Sequence, residues 1–214
     1  MSSTWNDRAE AYRTSAVHAG GPDLDLVVEL CEPRAGLEVV DVATGGGHVA
    51  RRLRDLGVQV TTVDPSPGME PDVVATAESL PFEDDAFDVV VNRLAAHHFT
   101  SIAAAVSEFA RVTRGSVVIE DHLRTDDDTE AAEKLRDPSH VRSQNEEEWR
   151  ALLEGAGLEV DHVSFHDMTL DFESWFARTQ TPAADAARAR ELLAPRATGD
   201  TWRSPMIILR ARKR

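Results

Sequence analysis

The sequence predicts an α/β fold, a doubly wound and mostly parallel sheet, on three observations. Short apolar runs alternate with amphipathic stretches, a glycine-rich turn closes the first run, and an acid closes the second. Alternation of strand and helix requires crossover connections, which set parallel strands side by side. Leu37-Glu38-Val39-Val40-Asp41-Val42 reads as a buried strand, Ala43 to Gly47 as a tight turn, and His48-Val49-Ala50 as the start of a helix. Glycines at 45 to 47 permit positive φ and close backbone approach, and their N–H groups stand at the positive end of that helix. Such a turn suits a nucleotide-like ligand.

The elements follow in order. Asn6 to Ala19 reads as an amphipathic helix and Asp23 to Cys31 as the helix before strand one. Val58 to Val63 is a second strand ending in Asp64, and Asp72 to Ala75 a short third, followed by an apolar Leu80-Pro81-Phe82 turn. Phe87 to Arg93 is the fourth strand, Ser101 to Val112 a helix, and Ser116 to Glu120 the fifth strand. Asn145 stands as N-cap of a helix from Glu146 to Ala156, which Gly157 ends. Leu158 to Phe165 is strand six, and Met206 to Arg210 the last.

At 214 residues and 42% hydrophobic content, the chain suits one domain, residues 1–214, with a sizeable core. A net charge of −15 argues against a nucleic-acid partner, whose phosphates need a basic face. The acidic runs Asp126-Asp127-Asp128 and Glu146-Glu147-Glu148 read as solvated loop and helix N-terminus. No apolar run has transmembrane length, no signal peptide is visible, and the single Cys31 excludes an internal disulfide, so a cytoplasmic protein without membrane insertion is expected. No Cys/His cluster has zinc-site spacing, so no metal is expected; Asp121 and His122 as two neighbours do not make a site.

Two ligands compete for the glycine turn. Gly45-x-Gly47-x-x-Ala50 with a following Asp64 fits a dinucleotide fingerprint. Asp41, set just before the turn, favours a ligand with a cationic amino-acid moiety over one with a pyrophosphate. That favours S-adenosylmethionine over NAD, with Asp64 accepting from the ribose hydroxyls.

With these blocks in place the sequence resembles the class I S-adenosylmethionine-dependent methyltransferases, and within them the ubiquinone/menaquinone-biosynthesis C-methyltransferase branch. The blocks are Asp41 to Gly47, Val63-Asp64-Pro65-Ser66-Pro67-Gly68-Met69, Ala77-Glu78-Ser79-Leu80-Pro81-Phe82, and Phe87-Asp88-Val89-Val90 leading to His97-His98-Phe99. The resemblance covers most of residues 7 to 160, while Arg136-Asp137-Pro138-Ser139-His140 and the last strand are similar to a bacterial subgroup of undefined substrate. It implies a Rossmann-like, seven-stranded sheet with an antiparallel C-terminal strand. It implies S-adenosyl-L-methionine as cofactor, held by Asp41, Ala43, Thr44, Gly45, Gly47, Asp64, Pro65, Met69, Thr76, Ala77, Glu78, Asn92 and Arg93. It also implies a lid over residues 1–22, with Tyr12 and His18 near the cofactor, and substrate-covering segments at 121–145 and 166–200. Several positions depart from the pattern: Ala43 replaces the usual first glycine, His48 stands where a small or polar residue is common, Thr76 replaces an aspartate that accepts from the adenine amino group, and Thr113-Arg114-Gly115-Ser116 replaces the usual Lys-Pro-Gly-Gly before the fifth strand.

Methyl transfer from a sulfonium asks chiefly for alignment and exclusion of water, with a base only where the acceptor must lose a proton. His97 and His98, just past the fourth strand, are the candidates for that role, with His97 the first choice and one of the two expected to point inward. Glu120, Asp121 and His122 reach the same sheet edge. Phe172, Trp175 and Phe176 stand at helical spacing; as pocket residues they imply an apolar or aromatic acceptor, as core they imply nothing. The expected activity is transfer of a methyl group to carbon, oxygen or nitrogen of a small molecule. A cofactor-binding protein of the same fold with a cyclisation or lyase reaction is the alternative, and an NAD dehydrogenase the third.

Overall fold

The computed structural model of the protein describes residues 6, 9, 12–15 and 19–214. Helix α1 (Pro22–Leu30) precedes β1 (Glu38–Val42), then α2 (His48–Asp55), β2 (Gln59–Asp64), β3 (Val73–Val74) and β4 (Phe87–Arg93). Helix α3 (Ile102–Val112), β5 (Thr113–His122), α4 (Asp127–Arg136) and α5 (Glu146–Gly155) follow. The chain closes with β6 (Leu158–Asp171), α6 (Phe172–Ala177), α7 (Ala183–Leu192), β7 (Ala197–Thr198) and β8 (Thr201–Lys213).

The strands lie in the order β3-β2-β1-β4-β5-β8-β6, with β7 paired to β8. Pairs from β3 to β5 are parallel, and β8 runs antiparallel between β5 and β6. This is the expected doubly wound, mostly parallel sheet with an antiparallel C-terminal strand, plus the short β7. Its central strands are covered on both faces, which is why they read as unbroken apolar runs. Val40, Val90, Val117 and Ile119 face one core with Phe109, Trp149 and Leu153, whereas Val39, Val89, Val91 and Val118 face another with Leu24, Val27 and Leu53.

Caps set the helix ends. Ser101 accepts from the Ala104 N–H at the start of α3, Asp126 from the Thr129 N–H at α4, and Asn145 forms a reciprocal capping box with Glu148 at α5. The acidic runs thus sit in first helical turns, where the helix dipole favours them. Gly115 has a reason of its own: a Cβ there would lie 2.5 Å from the Asp88 carbonyl oxygen, where β4 and β5 shift register.

Several boundaries move. Strand five runs to His122, strand six to Asp171, and the last strand spans Thr201–Lys213 rather than Met206 to Arg210. β6 and β8 pair along their whole length, and the outer half of β6 alternates exposed and half-buried side chains, a polar pattern that resembles loop. The expected helix from Asn6 to Ala19 lies partly outside the described residues, as does His18.

Residues 121–145 and 166–200 build a separate layer. Ala132, Leu170, Phe172, Trp175, Phe176, Ala189, Leu193 and Trp202 form a third apolar cluster. Trp175 is buried with its ring 4.9 Å from that of Trp202 and 5.0 Å from that of Phe176. These aromatics are therefore core, and the acceptor preference that they would imply as pocket residues does not arise from them.

Candidate functional site

A cavity of about 250 Å³ opens at the carboxyl ends of β1, β2 and β4, the edge where a doubly wound sheet places ligands. The glycine turn forms its floor. Gly45 has φ 50°, Gly47 has φ 71° and caps α2, and Ala43, in the first-glycine position, is held at φ 55°. A left-handed alanine costs on the order of 1 kcal/mol, and a second left-handed residue without glycine's freedom, Leu94 at φ 57°, stands on the opposite wall.

Two carboxylates organise the turn. Asp64 accepts the Gly45 N–H at 3.0 Å through one oxygen and the Ser66 N–H at 2.9 Å through the other, so it ties the turn to the end of β2. Burial outweighs these two bonds and raises its pKa. Asp41 accepts from the Thr44 hydroxyl at 2.7 Å. Only 2% exposed, it is pushed up to about 6 by burial, against the Thr44 bond.

The N-terminal segment lies across this turn. His48 accepts at Nδ1 from Arg51 at 2.8 Å, which assigns the ring proton to Nε2; that N–H donates to the Tyr12 carbonyl at 3.0 Å. Gly46 must be glycine here, because a Cβ would meet the Tyr12 oxygen at 2.7 Å. Asn6 accepts from the Ser66 hydroxyl and the Gly68 N–H, and Arg13 donates to the Gly68 carbonyl. His48, which the sequence offers only as an unusual residue after the glycines, is thus the link between the turn and its cover.

Of the residues expected at a cofactor, Tyr12, Asp41, Ala43, Thr44, Gly45, Asp64, Pro65, Met69, Thr76, Ala77, Glu78 and Arg93 line the cavity. Two do not. Asn92 is buried and donates to the Val42 carbonyl at 2.8 Å, bracing β4 against β1, and Gly47 is taken up by the start of α2. Gly46, His48, Val49, Ser66, Leu94, Ala95, Phe99 and Thr100 line it as well. Glu78 accepts from the Thr100 and Ser101 N–H groups, and so anchors the loop that enters α3.

The structure sets the two histidines apart. His98 lines the cavity, whereas His97 is turned inward and bonded to Asp121 at 2.5 Å. Both occupy a one-turn 3₁₀ segment, Ala96–His98, that puts successive side chains on different sides. Burial drives His97 well below its ordinary value and Asp121 well above, since neither charged form is favoured in the interior. His98 donates from Nδ1 to the Ser139 carbonyl at 3.1 Å, and burial lowers it to about 4. Ser139 belongs to the Arg136 to His140 block, where its N–H and hydroxyl are held by Asp137. Glu120 and Asp121 are buried behind the wall, and His122 donates to or accepts from Ser204 at 3.0 Å.

A methyltransferase-domain family model matches residues 15–163. The chain belongs to that family. The methyltransferase domain is 35% identical over 201 residues to the uncharacterized methyltransferase YcgJ of Bacillus subtilis, covering 84% of this chain and 79% of YcgJ. The crystal structure of YcgJ superposes with a TM-score of 0.80 over 89% of this chain and 97% of that one, at 29% identity. A methyltransferase-like protein of Bacillus halodurans gives 0.79 over 90% and 99%, also at 29% identity. The demethylmenaquinone methyltransferase of Beutenbergia cavernae is 37% identical over 91 residues, 38% of either chain. No helix among the described residues of this methyltransferase is long and apolar enough to cross a membrane.

Proposed function

We propose that the protein transfers a methyl group from S-adenosylmethionine to a small-molecule acceptor, with the cofactor in the cavity at the glycine turn. The observation that carries this reading is the pair of buried acids at that turn, Asp64 tied to Gly45 and Asp41 beneath it. Each Asp64 oxygen retains a lone pair beyond its backbone bond and can accept a ribose hydroxyl. Asp41 supplies negative charge toward an ammonium group, and the same charge opposes the pyrophosphate of NAD. The space above Gly45 fits such a ligand, because no atom lies within 4 Å of where its Cβ would stand. Thr76 and Ala77, with Met69 and Pro65, supply walls for an adenine ring, and the Tyr12 segment covers it.

Bound S-adenosylmethionine supplies a methyl carbon already activated by its sulfonium. Leu94, Ala95 and Phe99 line the cavity beside His98 and make room for an apolar part of the acceptor. His98 is the base in this reading: with its proton at Nδ1, the lone pair is at Nε2. So weakened by burial, it serves an acceptor whose proton is already acidic. His97, fixed by Asp121, holds the segment that presents it. In this reading the 121–145 segment stands beside the acceptor side, where Val141 and Arg142 donate to the His97 carbonyl.

Calorimetric titration of ligand-stripped protein with S-adenosylmethionine, S-adenosylhomocysteine and NAD tests the cofactor. Binding of both adenosyl compounds without NAD supports the reading, and binding of neither removes it. Release of S-adenosylhomocysteine during turnover then separates methyl transfer from a cyclisation or lyase reaction, in which the cofactor stays intact.

A further inference from the structure

We propose that Asp23, Glu120 and His166 bind a divalent transition-metal ion beside Arg93, against the cavity wall. They come from three elements: the first turn of α1, the end of β5 and the outer half of β6. One oxygen of each carboxylate and a ring nitrogen of His166 lie within 4.8 Å of one another. Glu120 is fully buried, yet its Oε1 has no hydrogen-bond partner among the described residues, and neither has His166 Nε2. These two atoms lie 3.2 Å apart, an ion pair when His166 is protonated but not a hydrogen bond in its geometry. Two donors about 2.1 Å from one metal and about 100° apart stand roughly 3.2 Å from each other, the bite seen here. A shared ion would satisfy both atoms without requiring a protonated His166.

Arg93 occupies the rest of the acids without filling this gap. Its Nε donates to Glu120 Oε2 at 2.5 Å and its Nη2 pairs with Asp23 Oδ2. The guanidinium neutralises one of two carboxylate charges and leaves one negative charge facing an imidazole. Mixed oxygen and nitrogen donors suit Mn²⁺, Fe²⁺ or Zn²⁺ better than Ca²⁺ or Mg²⁺. Three protein ligands leave positions open to water or to an acceptor oxygen, as catalytic metal centres do. Neighbouring Asp121 is already engaged with His97.

The test needs no cofactor or acceptor, so its outcome is independent of the methyl-transfer reading. Untagged, EDTA-treated full-length protein is titrated with Mn²⁺ by electron paramagnetic resonance and with Zn²⁺ by calorimetry. One ion per chain is expected, bound about tenfold or more weakly by His166→Ala and by Glu120→Gln, given that even loss of an outer-shell partner weakens metal sites on that scale. His162→Ala, whose ring bonds Ser164 elsewhere on β6, is expected to bind as the wild type does. His166 is 28% exposed on its side chain, so its truncation spares the fold even where Glu120→Gln strands Arg93. No binding by the wild type, or wild-type affinity in His166→Ala, overturns the proposal. So does an imidazole resonance of His166 that titrates as an ion pair with Glu120 and does not respond to metal.

Discussion

Replacing Asp64 with alanine separates its two tasks, holding the glycine turn and holding a ligand. In the free protein the change removes two charge-assisted hydrogen bonds, to the Gly45 and Ser66 N–H groups at 3.0 and 2.9 Å. The two N–H groups left without an acceptor cost about 1–3 kcal/mol each, while removing the carboxylate relieves a burial penalty that outweighs its two bonds, so a net loss of about 1–2 kcal/mol is expected. Urea unfolding of the ligand-free protein reads it. The second task is read as the extra stability conferred by S-adenosylhomocysteine at a hundred times the wild-type dissociation constant. That increment is about 2.7 kcal/mol for the wild type. A variant with tenfold weaker binding keeps about 1.4 kcal/mol, and one with hundredfold weaker binding about 0.4 kcal/mol. A full increment in Asp64→Ala refutes the ligand role while leaving the bracing role intact. Unchanged stability of the free variant refutes the bracing argument.

The remaining predictions address charge, close approach and core. Asp41, raised to about 6 by burial, ionises between pH 5 and 7, so affinity for S-adenosylmethionine is expected to rise about tenfold across that range, and calorimetry of Asp41→Asn should show a flatter profile. The stability term has the opposite sign: the raised pKa favours the folded protein below about pH 4 and that contribution is lost as pH rises through 6. His98, lowered to about 4, gives stability present above pH 6.5 and lost as pH falls toward 4, which His98→Gln should remove from the acid-denaturation curve. Gly46→Ala drives a Cβ to within 2.7 Å of the Tyr12 carbonyl, and limited proteolysis should cut its N-terminal segment faster than that of the wild type. Trp175→Ala empties a buried site in the α4, α6 and α7 layer and should cost about 3–5 kcal/mol in urea unfolding, with cofactor affinity of the folded protein unchanged.

The sheet was legible because its physics is local. Val39-Val40-Asp41-Val42 and Val89-Val90-Val91 are covered on both faces, and only consecutive apolar residues satisfy two cores at once. Asn145 with Glu148, and Ser101 before α3, announce helix starts within four residues. The outer half of β6 carries no such signal. His166-Asp167-Met168-Thr169 is strand because β8 pairs with it, and the partner lies more than thirty residues away in the chain. Helix α4 hides for a related reason: its apolar face is small, and the Trp175 cluster that receives it comes later in the sequence.

The site divides along the same line. Asp64 and the glycine turn can be read from the sequence because a strand end and the next turn determine both position and chemistry. The order of His97 and His98 cannot, because a single 3₁₀ turn decides which ring faces the cavity, and Asp121 and Ser139, on two other segments, lock the outcome. Asn92 shows the opposite case: at the end of β4 it has the right address, but the Val42 carbonyl on the neighbouring strand takes its NH2 group and the residue does not line the cavity. A polar residue at a strand's carboxyl end is therefore a ligand contact only when no backbone group within reach needs it first. Asp41 is the turn residue that tests this criterion, because a backbone N–H already reaches it. The Thr44 hydroxyl and the Ala50 N–H at the start of α2 both bond its carboxylate, and burial still raises its pKa to about 6, so the local turn accounts for part of its position and the titration of Asp41→Asn decides whether a cationic ligand accounts for the rest.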